Sequence, residues 1–385
     1  MKKMLYVSPF WPQKSGISDY SERLIWGLKE HYDITIFTKN ANIDNLKIRK
    51  SFPILSNLTK INAKDYDEIL YNFGNSPENH DYMCDMLEKY PGYIILHDFT
   101  LYYLMVDYYN KRGNLYSKIY KLEGKEKFLT LKDVIKRSKN YELLTHKELA
   151  ADYPLNAEIL KRAKGIFVHS DYTKNKVGAI VSKNRVHRIN IVDCMPKVEL
   201  DKTDYLRKRY GWDNDTFIIG AVGMIAPSKQ NDATCIAVQH YNEIHEKKVK
   251  YVMIGEGDYV DNLLSDDIKK TGFLEQQDFF DAINSCDSVF NLRYPYNGES
   301  SASLMQCMLI GKPCVVTDIG WFGELLDDIV YKVSCENAID EIVECIEWLM
   351  SHDDDLQQMA MKGRQYVEMY CNENAVAESI AGVIQ

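Results

Sequence analysis

The chain predicts an α/β protein built from two doubly wound halves in tandem. Three observations carry that expectation: short apolar runs alternate with helical stretches, the alternation restarts midway, and polar groups gather where the apolar runs end. The first series of β-rich runs is Met4–Val7, Ile34–Phe37, Glu68–Tyr71, Tyr93–Leu96 and Ile166–His169. After a charged, turn-prone stretch at Lys197–Asp215, a second series follows: Phe217–Val222, Lys250–Ile254, Ser288–Leu292, Cys314–Val316 and Val330–Val333. Runs of three to six mostly apolar residues separated by helix-length segments are the mark of parallel strands buried on both faces. At 385 residues the chain also exceeds what one core usually organises. We therefore expect a first domain over 1–200, a second over 201–371, and a helical tail over 372–385 packing back on the first. Ligands are expected at the carboxyl ends of the strands and in the cleft between the halves.

Composition narrows the function classes. With 45% hydrophobic and 27% charged residues the chain is of ordinary globular composition, and its net charge of −9 argues against a broad nucleic-acid-coating face. The nine cysteines are scattered, without a Cys-x-x-Cys pair, and read as reduced thiols. The start, Met-Lys-Lys-Met-Leu-Tyr-Val-Ser-Pro, has too short an apolar run for a signal peptide, and no run is of membrane-spanning length. A cytoplasmic protein is expected. One segment breaks the α/β alternation. In an expected insertion over about 105–150, lysine and arginine from Tyr108 to Lys139 (Lys111, Arg112, Lys118, Lys121, Lys125, Lys127, Lys132, Lys136, Arg137, Lys139) outnumber acids and interleave with Tyr116, Tyr120, Phe128 and Leu129. It reads as a helical insertion, either a solvated face or an element that docks on an anionic membrane surface or acceptor.

The most informative stretch runs from Asn291 to Asp318. Val289–Leu292 reads as a strand, Tyr294–Gly298 as a Pro/Gly turn, Ser300–Ile310 as a helix and Pro313–Val316 as the next strand. The helix is expected to start at Ser300 or Ser301, either serving as N-cap, so its first turn offers N–H groups to an anion such as a diphosphate. Glu299 stands at the same corner, where its carboxylate suits sugar hydroxyls. An ordinary capped helix would read the same locally, so the neighbouring motifs decide. Near the N-terminus, the loop Ser8–Glu22 places Gly16 for close backbone approach, with Ser18 expected as a helix cap. Leu96-His97-Asp98 and Val168-His169-Ser170 put polar pairs at strand ends; His97 is read as a substrate contact and His169 as structural. In the second half, Gly223-Met-Ile-Ala-Pro-Ser-Lys229 places a lysine just past a strand, in reach of phosphates. Ile254-Gly-Glu-Gly257 has only the first half of a dinucleotide fingerprint and supports NAD poorly.

Together these residues resemble the retaining, nucleotide-sugar-dependent glycosyltransferases of family 4, whose GT-B fold has two facing Rossmann-like domains. The likeness runs in order through the Gly16 loop, Leu96-His-Asp98, Val168-His-Ser170, Gly223 to Lys229, Thr271-Gly-Phe273, Glu299 with Gly311-Lys-Pro313, and Gly320-Trp-Phe-Gly-Glu324. The resemblance implies catalytic roles for His97, Lys229 and Glu299, and donor contacts from Gly16, Gly223, Lys229, Phe273, Glu299, Ser300, Ser301 and Gln306. It implies a nucleoside diphosphate sugar as co-substrate, no metal and no further cofactor, and a glycan or lipid-linked acceptor, in surface polysaccharide or glycolipid assembly with peripheral membrane association. No nucleic-acid partner is expected.

Two departures stand out. The family often carries two glutamates separated by seven residues, and alignment on Gly311-Lys-Pro313 puts Gly298 and Gln306 there, with Glu299 displaced by one. The arginine that commonly precedes the phosphate lysine is absent, since Met224 follows Gly223. Lys229 and the helix N-terminus then carry more of the phosphate charge, or a residue such as Arg293 supplies it. The rival readings are a nucleotide-sugar epimerase or phosphorylase on the same architecture, and a non-catalytic protein that binds a sugar or partner.

Overall fold

The computed structural model describes residues 1–137, 149–150 and 152–384. The chain divides into two compact units. The first comprises Met1–Val192, Asn297–Ser300 and Glu373–Gln385; the second comprises Asp193–Tyr296 and Ser301–Asn372. The expected second domain over 201–371 is thus interrupted, because the four residues Asn297–Ser300 pack with the first unit.

The first unit is a seven-stranded sheet of β1 (Lys2–Val7), β2 (Tyr32–Phe37), β3 (Ile54–Leu55), β4 (Glu68–Phe73), β5 (Tyr93–Leu96), β6 (Ile166–Val168) and β7 (Val186–Arg188). Their order is β3-β2-β1-β4-β5-β6-β7, and every pairing is parallel. The chain moves outward from β1 to β3, then returns to the other side of β1 as β4, so the topology reverses between β1 and β4. Met4–Val7, Ile69–Phe73 and Ile94–Leu96 are buried without a break, as strands covered on both faces must be.

The second unit repeats the arrangement with six strands: β8 (Phe217–Val222), β9 (Val249–Ile254), β10 (Ile268–Lys270), β11 (Ser288–Asn291), β12 (Cys314–Thr317) and β13 (Tyr331–Val333). The order is β10-β9-β8-β11-β12-β13, again parallel throughout, and its reversal falls between β8 and β11. Three strands escape the sequence reading, β3, β7 and β10. Each is two or three residues long and lies at the edge of its sheet, too short to leave an apolar run that stands out from a loop.

Helices follow their apolar spacing. In Gly16–Leu28 the buried residues include Tyr20, Leu24, Ile25 and Leu28, one stripe of a 3.6-residue period. Its cap is Ser15, which accepts from the Ile17 N–H at 3.2 Å. Ser18, expected as the cap, lies inside the first turn and donates to the Gln13 carbonyl at 2.6 Å instead. The basic segment forms the helices Tyr102–Lys111 and Leu115–Arg137, the latter broken at Gly124, whose φ of 89° is outside helical space. Leu115, Ile119, Leu131 and Ile135 are buried while Tyr116, Tyr120, Leu129, Lys121, Lys125, Lys132, Lys136 and Arg137 are exposed. The part of this segment at 138–148, Lys139 included, lies outside the described residues. Among the described residues no helix is long and apolar enough to cross a membrane. All nine cysteines are free, seven of them buried.

The tail completes the first unit. Helix Glu373–Ala381 packs on Gly16–Leu28, with an Arg23–Glu373 ion pair at 3.0 Å and the Tyr32 hydroxyl donating to the Ile384 carbonyl at 3.1 Å. Gly27 is what lets the helices meet, since a Cβ there would stand 2.2 Å from the Glu373 carbonyl oxygen. Glycine-to-alanine in a helix interior ordinarily gains up to about 1 kcal/mol. Here Gly27→Ala is expected to destabilise by about 1–3 kcal/mol through overpacking, read as a fall in Tm. In a chain lacking residues 373–385 the same substitution is expected to be neutral or stabilising.

Candidate active site

In open parallel sheets ligands bind beyond the carboxyl ends of the strands, at the point where strand order reverses. Each unit has such a point, and each gathers polar side chains there.

In the first unit the ends of β4, β5 and β6 bring Asn72, His97 and His169 together. His97 Nε2 lies 3.1 Å from Asn72 Oδ1, and His97 Nδ1 lies 3.4 Å from His169 Nε2. With Asn72 Oδ1 as acceptor, His97 carries its proton on Nε2 and accepts from His169 on Nδ1. The Tyr20 ring stands edge-on to His97 at 4.5 Å. Burial, and then the neighbouring His169, hold the His97 imidazole well below its usual range; burial pushes His169 down to about 4. Both rings are neutral at physiological pH. Both His97 nitrogens thus face protein partners, Asn72 on one side and His169 on the other, at the strand end where the sequence reading placed it.

The neighbouring Asp98 has the opposite character. Its Oδ2 accepts from the Asn75 N–H at 3.0 Å, while burial first, and then the Glu299 carboxylate, push it up to about 6. Glu299 is brought here by the loop Asn297–Ser300, whose Gly298, at φ 87°, sits so close to Phe99 that a Cβ would fall 2.5 Å from the Phe99 Cβ. Glu299 Oε2 also accepts from the Asn297 N–H at 2.9 Å. Two carboxylates thus share the carboxyl end of the first sheet. Gly16 opens its helix beside nothing that a Cβ would touch, leaving that N-terminus open to a ligand. Ser300 is half-buried next to Glu299 and is not the helix cap.

In the second unit the reversal between β8 and β11 holds a pair of cations. Lys229 ends the short turn Pro227–Lys229, and its Nζ donates to the Val222 carbonyl at 2.8 Å. It reaches that position over Gly223, whose Cβ, if present, would lie 2.8 Å from Nζ. Arg293, buried at the end of β11, donates through its backbone N–H to Thr317 Oγ1 at 2.9 Å and through Nη1 to the Leu292 carbonyl at 2.7 Å. Thr317 donates in turn to Gln230 Oε1, and the Tyr294 N–H donates to the Ser228 carbonyl at 2.9 Å, so one network locks the Arg293 loop to the Lys229 loop. Burial, and then the Arg293 charge, drop the Lys229 amine to about 7. An arginine beside the lysine was legible in the sequence only as one way to replace the missing one; the fold supplies it from the next strand across the reversal.

Helix Ala302–Ile310 starts one residue beyond the Ser300 alternative. Ser301 is its cap, accepting from the Leu304 N–H at 3.2 Å. Gln306, expected at the nucleotide, is turned to the Cys194 carbonyl at 3.2 Å. Beyond Gly223 lies a pocket of ≈ 230 Å³ lined by Gly223, Met224, Ile254, Gly255, Glu256, Gly272, Phe273, Leu274 and Phe279. Its walls are glycine backbone and apolar side chains, with Phe273 at 71% exposure on the rim, a slot suited to a planar ring. Among the described residues no group of three or more His, Cys, Asp or Glu side chains is arranged to hold a metal ion.

Residues 216–352 match the family of glycosyl transferases group 1. This domain holds the Lys229–Arg293 pair and the whole slot. No curated protein matches the chain by sequence. Among solved structures, HepE of Anabaena in complex with UDP is similar over 100% of this chain and 99% of its own, with a TM-score of 0.64 and 14% identity. Sucrose-phosphate synthase of Thermosynechococcus elongatus gives 0.66 at 12% identity over 100% and 98%. WaaG, a glycosyltransferase involved in lipopolysaccharide biosynthesis, gives 0.58 at 13% over 99% of each chain. At these identities the likeness is one of fold, and the fold is GT-B.

The lowered Lys229 gives a signed prediction. A lysine whose folded pKa is about 7 against 10.5 unfolded withdraws stability as pH falls from about 10.5 through 7. Lys229→Met is therefore expected to stabilise the ligand-free protein at pH 7 and below, by about 1 kcal/mol after solvent screening at the half-buried amine, or ~2–4 °C in Tm. The gain should vanish above about pH 10, and Tm measured against pH in both proteins checks it.

Proposed function

We propose that the protein is a retaining, metal-independent glycosyltransferase that moves a sugar from a nucleoside diphosphate sugar to an acceptor hydroxyl. The observation that carries this is the Lys229–Arg293 pair at the strand reversal of the second unit, set directly against a slot for a planar ring. Two cations held together at a cost in solvation and mutual repulsion are poised for a dianion. The group 1 domain match over these residues and the UDP and UDP-glucose complexes of HepE support a nucleotide sugar.

The chemistry follows from charge. The bond between the anomeric carbon and the diphosphate oxygen breaks, and its electron pair leaves on that oxygen. Lys229, Arg293 and the N-terminal turn of Ala302–Ile310 stabilise the charge that grows there, without a metal. The acceptor oxygen bonds to the anomeric carbon on the face the diphosphate leaves, and its proton passes to the departing diphosphate. Glu299 receives sugar hydroxyls, with Asp98 beside it able to take up a proton near neutral pH. Retention rests on the family resemblance.

Incubation with UDP-, GDP- and ADP-sugars and a hydroxyl acceptor, with chelator present, tests the reading. One sugar is expected to transfer with its anomeric configuration kept, and Lys229→Ala is expected to lower kcat by about 10²–10³. Product made without acceptor, or only with inorganic phosphate, would instead mean an epimerase or a phosphorylase, and absence of nucleotide binding would mean a non-catalytic protein.

The acceptor we propose is a glycan or lipid-linked substrate in surface polysaccharide or glycolipid assembly, met at the inner face of a membrane. The support is the helix Leu115–Arg137, which exposes Tyr116, Tyr120 and Leu129 among Lys121, Lys125, Lys132, Lys136 and Arg137 on a chain of net charge −9. Each such lysine near an anionic surface is worth about 1 kcal/mol. The protein is expected to float with vesicles containing phosphatidylglycerol but not with pure phosphatidylcholine, and to be released by salt. Replacing Lys121, Lys125, Lys132 and Lys136 by alanine should abolish flotation while leaving Tm within about 2 °C.

A further inference from the structure

We infer that Glu256 is the residue that recognises the ribose of the donor nucleotide, by accepting hydrogen bonds from its 2′- and 3′-hydroxyls. The inference deepens the nucleotide-sugar reading above and rests on it.

Three strands end along the slot in spatial order. β8 ends at Gly223, beside Lys229; β9 ends at Gly255 and Glu256; β10 ends just before Gly272 and Phe273. β8 pairs with β9 and β9 with β10, so successive ends step outward by about 4.8 Å, comparable to the step from phosphate to ribose to base in an extended nucleotide. A diphosphate on Lys229 and a base against Phe273 put the ribose at the end of β9. In dinucleotide-binding folds, an acidic residue holding the ribose hydroxyls is the usual solution to the same problem.

The backbone around Glu256 is built to present one side chain. The Gly223 N–H donates to the Ile254 carbonyl at 2.9 Å and the Ile225 N–H to the Glu256 carbonyl at 2.6 Å, extending the β8–β9 pairing past the strand ends. Gly255 and Gly257 flank the glutamate at φ 156° and 148°. A Cβ on Gly255 would lie 2.1 Å from the Gly223 carbonyl oxygen, and one on Gly257 would lie 2.2 Å from that of Ile225. Only glycines on either side let this tongue lie flat on the β8 loop, which leaves Glu256 as the one side chain it offers to the slot. The Glu256 carboxylate is exposed and makes no hydrogen bond or ion pair with any described residue. Gln306, the residue that the resemblance assigned to the nucleotide, is meanwhile held by the Cys194 carbonyl. A pair of vicinal hydroxyls supplies the two donors that a free carboxylate accepts.

The test is isothermal titration of the parent, Glu256→Ala and Glu256→Gln with UDP, GDP and ADP, with the 2′-deoxy form of whichever binds tightest, and with pyrophosphate. The parent is expected to prefer the ribonucleotide over its deoxy form by about ten-fold, a hydrogen bond to a charged group. Glu256→Ala is expected to lose about ten-fold or more for the ribonucleotide and to bind ribo and deoxy forms alike, with pyrophosphate affinity unchanged; Glu256→Gln should fall between. Unchanged discrimination in Glu256→Ala would overturn the inference while leaving the nucleotide reading intact. So would loss of one base's binding with the ribo/deoxy ratio preserved, which would make Glu256 a base reader. A parent that binds pyrophosphate but no nucleotide would remove both readings together.

Discussion

The parallel pairing of β8 with β9 on one side and β11 on the other is the constraint on which the second unit's chemistry depends. Because the chain leaves β8 first toward β9 and later returns to its far side as β11, the loops after β8 and β11 emerge side by side with no crossover covering them. Lys229 comes from one loop and Arg293 from the other, and the Thr317, Gln230, Tyr294 and Ser228 contacts join them. A sheet that wound in one direction only would separate these residues by the width of a strand and its crossover helix. The burial and, second to it, the Arg293 charge that together drop Lys229 are therefore products of topology.

The first unit gathers its polar groups beyond β4, β5 and β6, on one side of its own reversal, and with the opposite character. Its strand ends gather neutral imidazoles and carboxylates: Asn72, His97 and His169 form a hydrogen-bonded row, and the Glu299 charge raises Asp98. One fold, used twice, thus yields a cationic end and an acidic end. The difference lies entirely in the residues placed just past the strands.

Much of this was legible in the sequence because parallel strands buried on both faces leave uninterrupted apolar runs. Tyr93–Leu96 and Phe217–Val222 were readable to the residue. The edge strands β3, β7 and β10 were not, since a stretch such as Ile268-Lys-Lys270 carries too little apolar signal to stand out from a loop. Lys229 and Ser301 were findable because a lysine or a capping serine after a strand has a local meaning. Arg293 and Glu256 had no such local meaning; one needed the network through Thr317 to place it beside Lys229, the other the glycine tongue laid on β8. The same limit explains His97. Strand-end position marked it as a candidate, but its partners Asn72 and His169 come from strands 25 and 72 residues away, and only their arrival ties up both ring nitrogens.

The packing of Glu373–Ala381 against Gly16–Leu28 has a consequence for how the protein is made. The helix Gly16–Leu28 is translated well before the second unit, yet the surface that buries part of it is translated after the whole of that unit. Until then the groove around Gly27 is apolar and uncovered. Contacts of such sequence separation form slowly because a long loop must close before they are rewarded. The second unit, whose residues are nearly contiguous in sequence, has no such dependence on a distant segment.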